Sequence, residues 1–353
     1  SAAAKLEGTA NSVACAAALI RFRNYGMAIA YAPGLRRKEG LMFFQTNQCT
    51  LRREVALSGV GLHTGASVSL LIKPAPAATG ICFRRVDLIG KPVIPARFDC
   101  VVDTSLATVV GLGSARVMTI EHLMAALSMV GVDNALIEVN GPEIPVFDGS
   151  AAPFCNALIE AGLKRQRTPR NFLPITSEVT VREGDSYIRA CPAARTNILY
   201  TIDFPHPLVG SQSMNFQLDS QAFRRDIAGA RTFGFLNDVK RLQERGLALG
   251  GSLANALVFD DSGLLNRDGF RFSNECVRHK ILDFLGDMSL MPHTLIGRFE
   301  AYKAGHALHN RLLRKIAGTL HAGAYAMPAT LAAVRTARLP FHAPFGKPAP
   351  AGF

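Results

Sequence analysis

The chain has 353 residues, 48% hydrophobic and 19% charged, with a formal net charge of +12; this excludes a disordered tail and allows two domains or one large one. Lys and Arg occur singly or in pairs (Arg36-Arg37, Arg84-Arg85, Arg224-Arg225), no basic stripe is interleaved with aromatics and Trp is absent, so nucleic acid is not an expected partner. The seven cysteines (15, 49, 82, 100, 155, 191 and 276) form no C-x-x-C pair, which speaks against a disulfide framework or a Cys-rich metal site, and no run of about eighteen apolar residues spans a membrane.

Residues 1–45 are alanine-rich, with six Lys/Arg against two acids. They read either as an amphipathic transit peptide or as sequence upstream of a true start at Met42. The first reading places the protein in an organelle, the second in the cytoplasm.

From about Gln45 the periodicity is clear. Ser67 to Lys73 alternates, with Val68, Leu70 and Ile72 on one face, and reads as a strand; 134–140 reads as another. Between them, Thr119 to Gly131 carries Ile120, Leu123, Met124, Leu127 and Val130 at helical spacing, stopped by Gly131. Asp148-Gly149-Ser150 introduces a second helix over 153–163. The polar stretch 164–171 (KRQRTPRN) reads as a linker. Beyond it the pattern returns: a strand at 197–204, then helices at about 273–291 and 306–320. The expectation is α+β, with two similar halves, 46–165 and 171–325, each a sheet with a layer of helices. A basic, Pro-rich tail follows at 326–353.

The helix at 272–291 is the most informative. At about 100° per residue, His279, Asp283 and Asp287 form one stripe with Lys280 at its margin, opposite Val277, Ile281, Phe284, Leu285 and Met288. His and Asp four apart can present a nitrogen and a carboxylate oxygen to one divalent ion; a solvated polar face is the plainer reading. Glu121-His122 opens the earlier helix. Neighbours on a helix diverge by about 100°, which suits separate roles, ligand and base, better than two ligands. A helix-dipole charge is the plain alternative for Glu121. His306 precedes the apolar run Leu308, Leu312, Leu313, Ile316 and reads in isolation as a capping or core histidine. His63 sits in G-x-G-x-x-x-G (59–65), a turn rather than a dinucleotide fingerprint.

GVGLHTG (59–65), TIEHLMAAL (119–127), EIPVFDGSAAPF (143–154), ARTFGF (230–235), VRHKILDFLGD (277–287) and AGHALHN (304–310) stand in order along the chain. From about Cys49 to Asn310 it closely resembles the UDP-3-O-acyl-N-acetylglucosamine deacetylases of lipid A synthesis. The resemblance implies two α+β domains packed face to face, with the active site between them. It implies a Zn²⁺ held by His122, His279 and Asp283, with Glu121 as general base and His306 as protonated acid. Asp287 would orient His306, and Thr232 would help hold the oxyanion.

For the substrate, the resemblance implies Lys280 and Lys303 near the diphosphate and Phe204 near the uracil, with His63 and Phe233 also at the site. A βαβ insert at about 235–258 would form an apolar passage for the acyl chain. Its walls would be Leu236, Val239, Ala248, Ser252, Leu253, Ala256 and Val258, with Leu62 and Leu106 from the first half. Ala107 and Ala248 stand where relatives carry larger residues, which implies a roomier passage. The implied substrate is a small UDP-linked acylated glucosamine. The expected protein is a cytoplasmic monomer with at most peripheral membrane contact. Two rivals remain at this point: a zinc hydrolase of another amide, and a non-catalytic binder of acyl-nucleotides.

Overall fold

The computed structural model describes residues 46–319 and two short strands, Leu19–Arg21 and Ala28–Ala30, which pair antiparallel with each other. The rest of the expected leader, and the tail at 326–353, lie outside the described residues.

Alternating burial builds a first five-stranded sheet. Val68, Leu70 and Ile72 of strand Ser67–Pro74 turn inward and are at most 2% exposed, while their neighbours face out or lie half-buried. In spatial order the strands are Val55–Val60, Ser67–Pro74, Ala135–Val139, Ile81–Arg85 and Val93–Pro95. Ala135–Val139 and Ile81–Arg85 run parallel; the other pairs are antiparallel. A second sheet follows the same plan: Val179–Glu183, Ser186–Cys191, Arg298–Tyr302, Asn197–Asp203 and Ser211–Gln217. Its parallel pair, Arg298–Tyr302 with Asn197–Asp203, falls at the same place. The repeat expected from the sequence is therefore a repeat of strand order and strand sense. The fold is α+β.

Six helices accompany the sheets among the described residues: α1 (Glu121–Val130), α2 (Ala152–Ala161), α3 (Ser220–Asp226), α4 (Leu236–Glu244), α5 (Glu275–Met288) and α6 (His306–Thr319). α1 stops where expected: Gly131 adopts φ 97° and its N–H bonds Leu127 O. α1 leads into the middle strand of the first sheet and α5, after the short strand Thr294–Ile296, into that of the second, and the two helices pack against each other. The approach is close enough that a Cβ on Gly286 would lie 2.1 Å from the Glu121 carbonyl oxygen. The polar stripe of α5 therefore does not meet solvent: His279, Asp283 and Asp287 are 2%, 4% and 2% exposed.

The expected linker at 164–171 is instead mostly strand. Leu163–Pro169 pairs antiparallel with Asn47–Leu51, and Arg170 bonds Asp133 at 2.8 Å. The stretch is polar because one strand of a two-stranded ribbon leaves most of its side chains in water, so composition hid the pairing. The segment at 235–258 holds α4 between two short parallel strands, Phe233–Phe235 and Leu257–Phe259. No helix of the described residues is long and apolar enough to cross a membrane.

Candidate functional site

α1 and α5 bring three donors together. His122, His279 and Asp283 are all buried, and one ligand atom from each lies within 4.8 Å of the others. Asp283 Oδ1 is 3.3 Å from His279 Nε2 and 3.6 Å from His122 Nε2. His279 Nδ1 lies 3.0 Å from the Ala230 carbonyl oxygen, which can only accept, so the ring proton sits on Nδ1. Burial lowers the His279 pKa to about 4, which keeps the ring neutral. Its Nε2 lone pair thus faces the oxygen of Asp283. Burial works against charge on Asp283, yet His279 and Lys280 hold its pKa well below the usual range. Two acceptors aimed at each other are stable only with a cation between them, and imidazole nitrogen with carboxylate oxygen is a donor set that suits zinc. The residues fit a metal.

Beside this cluster a buried carboxylate faces an imidazole. Glu121 Oε1 lies 4.0 Å from His306 Nε2. Burial raises the Glu121 pKa, against the pull of His306 and His122. Burial also disfavours charge on His306, but Asp287 at 2.7 Å from Nδ1, helped by Glu121, raises it to about 9. The Asp287 pKa is lowered in turn, mainly by His306, against its own burial. Asp287, His306 and His309 also bring ligand atoms within 4.8 Å. Their ring-nitrogen contacts with Asp287 are 2.7 Å, hydrogen-bond length, with a proton between the atoms.

The loop carrying Thr232 is fixed on both sides, Thr232 N–H to Gly149 O and Leu257 N–H to Thr232 O, each 2.8 Å. Arg231 is 1% exposed and bonds the fully buried Glu275 through Nε at 2.9 Å, one turn before His279 on α5. The clamp holds the Ala230 carbonyl against His279.

The other expected positions are spread more widely. Lys280 Nζ donates to Asp283 Oδ2 at 2.8 Å, and Lys303 Nζ to Asp185 at 2.6 Å. Phe204 packs edge-on against Phe233 at 5.4 Å, and Phe233 lies 6.4 Å from the His279 ring. His63 is buried, with no hydrogen-bond partner at either ring nitrogen among the described residues. Leu62 accepts from Gly250 N–H, joining the first half to the insert. Leu106, Ser252 and Leu253 are exposed; Leu236, Val239 and Ala256 are half-buried; Val258 is buried. Ala107 and Ala248 are 3% and 6% exposed, so neither lines open space.

Four participants escaped the sequence reading. Thr108 donates its hydroxyl to Asp287 Oδ1 at 2.5 Å and its N–H to Glu121 Oε2 at 3.1 Å. Glu143, fully buried, accepts from His63 N–H, from Thr64 through N–H and hydroxyl, and from Thr119, tying the 59–65 turn to the start of α1. Glu275 anchors the Thr232 loop. His309 shares Asp287 with His306; its i, i+3 spacing on α6 was the available signal.

A family model described as UDP-3-O-acyl N-acetylglycosamine deacetylase matches residues 48–318. The chain belongs to this family. Among curated relatives, a UDP-3-O-acyl-N-acetylglucosamine deacetylase of Myxococcus xanthus is 50% identical over 270 residues, covering 76% of this chain and 86% of that protein. The Pasteurella multocida protein of the same name is 46% identical over 272 residues, covering 76% of this chain and 89% of its own length. The deacetylase family match spans both sheets and the cluster of His122, His279 and Asp283.

Proposed function

We propose that this protein hydrolyses the N-acetyl group of UDP-3-O-(3-hydroxyacyl)-N-acetylglucosamine, releasing acetate and the free amine, as a zinc-dependent enzyme of lipid A synthesis. Family membership supports the substrate class. The observation that carries the chemistry is the 4.0 Å approach of Glu121 to His306 beside the buried His122, His279 and Asp283 set. Zinc, which His122, His279 and Asp283 would hold, would supply the Lewis acidity needed to activate the acetamide and water.

The chain's own residues do the rest. Glu121, made more basic by burial, takes the proton of the attacking water as its oxygen bonds the carbonyl carbon. Thr232 donates to the oxyanion from its fixed loop. His306 gives its proton to the nitrogen as the C–N bond breaks, and Asp287 keeps that imidazole oriented through Nδ1. Lys280 and Lys303 attract the diphosphate, Phe204 meets the uracil, and the segment 235–258 receives the acyl chain. A cytoplasmic monomer with at most peripheral membrane contact accompanies this reading.

The test is deacetylation of UDP-3-O-acyl-N-acetylglucosamine, with zinc measured on the same sample. We expect one zinc per chain and turnover that tracks it, and a folded His279→Ala variant that has lost most of the metal. Turnover in zinc-free protein, or full zinc in His279→Ala, would overturn the assignment.

A further inference from the structure

Asp287 accepts three short contacts from three side chains, and two of those side chains, Thr108 and His309, have no place in the reaction above. Its Oδ1 takes the Thr108 hydroxyl at 2.5 Å. Its Oδ2 lies 2.7 Å from His306 Nδ1 and also 2.7 Å from His309 Nδ1. His309 is fully buried, and its other nitrogen, Nε2, lies 3.1 Å from the Tyr200 hydroxyl. Tyr200, itself fully buried, donates to the Ala304 carbonyl at 2.8 Å. We propose that His309, oriented by Tyr200, is a positioning residue for His306: it donates to the carboxylate oxygen that His306 uses and so sets how firmly Asp287 holds His306 and its proton.

The assignment of hydrogens follows from chemistry. Burial lowers the His309 pKa, so a neutral ring carries one proton. Asp287 is ionised and needs a donor, which puts that proton on Nδ1. Nε2 must then accept, and the Tyr200 hydroxyl, 3.1 Å away and 2.8 Å from Ala304 O, is the donor within reach, shared between the two acceptors. Burial together with Asp283 and Asp287 raises the Tyr200 pKa, so the phenol keeps its hydrogen. The alternative tautomer would set the Nδ1 lone pair against a carboxylate at 2.7 Å.

The charges around the pair are few. His306 faces Glu121 from α1, and Asp287 and Asp283 from α5. His309 faces Asp287 and Lys280 from α5, with His306 one turn before it on α6. Each neutral donor on Asp287 spreads its charge and weakens its attraction for the His306 proton. Removing the His309 donor should tighten that hold, making His306 a more reluctant acid. His309 donates to a charged carboxylate, but the effect reaches His306 only through Asp287, so it should amount to a fraction of such a bond's worth, about tenfold in rate or less.

This rests on His306 being the acid, and the test separates the two. Histidine ¹⁵N NMR of the full chain reads the protonation of His306 and His309 directly, and the pH profile of kcat reads the reaction. We expect wild-type His309 to carry its proton on Nδ1. His309→Leu should raise the His306 titration and the descending limb of kcat together, with a fall in kcat of at most about tenfold at neutral pH. His309→Asn, whose amide can reach the same oxygen, should restore both. Tyr200→Phe, which removes only a hydroxyl, should shift both in the direction of His309→Leu and serves if the leucine variant does not fold. An unchanged His306 titration in His309→Leu and Tyr200→Phe, or an asparagine variant that behaves like leucine, overturns the proposal. A shifted titration with an unmoved rate profile keeps His309 as the partner of His306 and removes His306 from the acid role.

Discussion

In the proposed reaction Glu121 and His306 divide the proton work by environment. Burial makes Glu121 a better base, against the pull of His306 and His122, whereas His306 is tied to a carboxylate that keeps it charged. Glu121→Ala should therefore retain zinc and lose roughly 10²- to 10⁴-fold in kcat, measured on metal-loaded protein. If that variant turned over at near the wild-type rate, the base would lie elsewhere. His306, raised to about 9, is protonated across neutral pH, so the rate should fall as pH climbs through about 9. Its sign in folding is the same: a raised histidine stabilises the folded state below its unfolded value of about 6.5, and that contribution disappears as pH rises through 9. His306→Ala should lose the descending limb along with most of the rate; an unchanged profile would reassign the acid. The participants visible in the sequence were those with a local signal, the four-residue spacing of His279 and Asp283 or the adjacency of Glu121 and His122. Thr108 had none, because it meets Asp287 across 179 residues of chain. Glu143 and Glu275 look in the sequence like ordinary acids, and only folding buries them against backbone donors.

α1 and α5 are the elements on which the site depends, and Gly286 sets their separation. A methyl group there would lie 2.1 Å from the Glu121 carbonyl oxygen, and backbone cannot yield as a side chain can. Gly286→Ala should force the helices apart, costing about 1–3 kcal/mol in chemical denaturation, the usual range for overpacking, and weakening zinc binding as well. Wild-type stability and zinc content in that variant would show that the helix spacing is not critical. The helices themselves were legible within two or three residues of their ends, since their apolar residues recur at 3.6 spacing and Gly131 stops α1. The ribbon Leu163–Pro169 was not, because a half-exposed strand offers no apolar run to read. Nor could spacing reveal that the polar stripe of α5 is buried; a stripe facing water and one facing a second helix have the same period. Ala248 carries a further constraint invisible in sequence: it adopts φ 53°, where a bulky side chain is strained.

At the scale of the whole molecule, the proposed substrate recognition would draw on both halves, through Leu62 on one side and the insert around α4 on the other. The exposed Leu106 and Leu253 and the half-buried Leu236 and Val239 are apolar surface that an acyl chain could cover. Each buried methylene should add about 0.8 kcal/mol, nearly fourfold in kcat/KM, until the passage is full. A series of substrates differing only in acyl length checks this, and equal kcat/KM with and without the chain would remove the passage from the account. The two sheets share one strand order, and α1 and α5 occupy equivalent places in it while lying against each other. Glu121 and His122 come from one copy of the plan, His279, Asp283 and Asp287 from the other. Neither copy owns a complete set of donors. On the proposed function, chemistry in this chain would thus be a property of docking: halves that had each folded but not yet met would have their sheets and helices in place and lack the full set of groups proposed to hold the ion and move the proton.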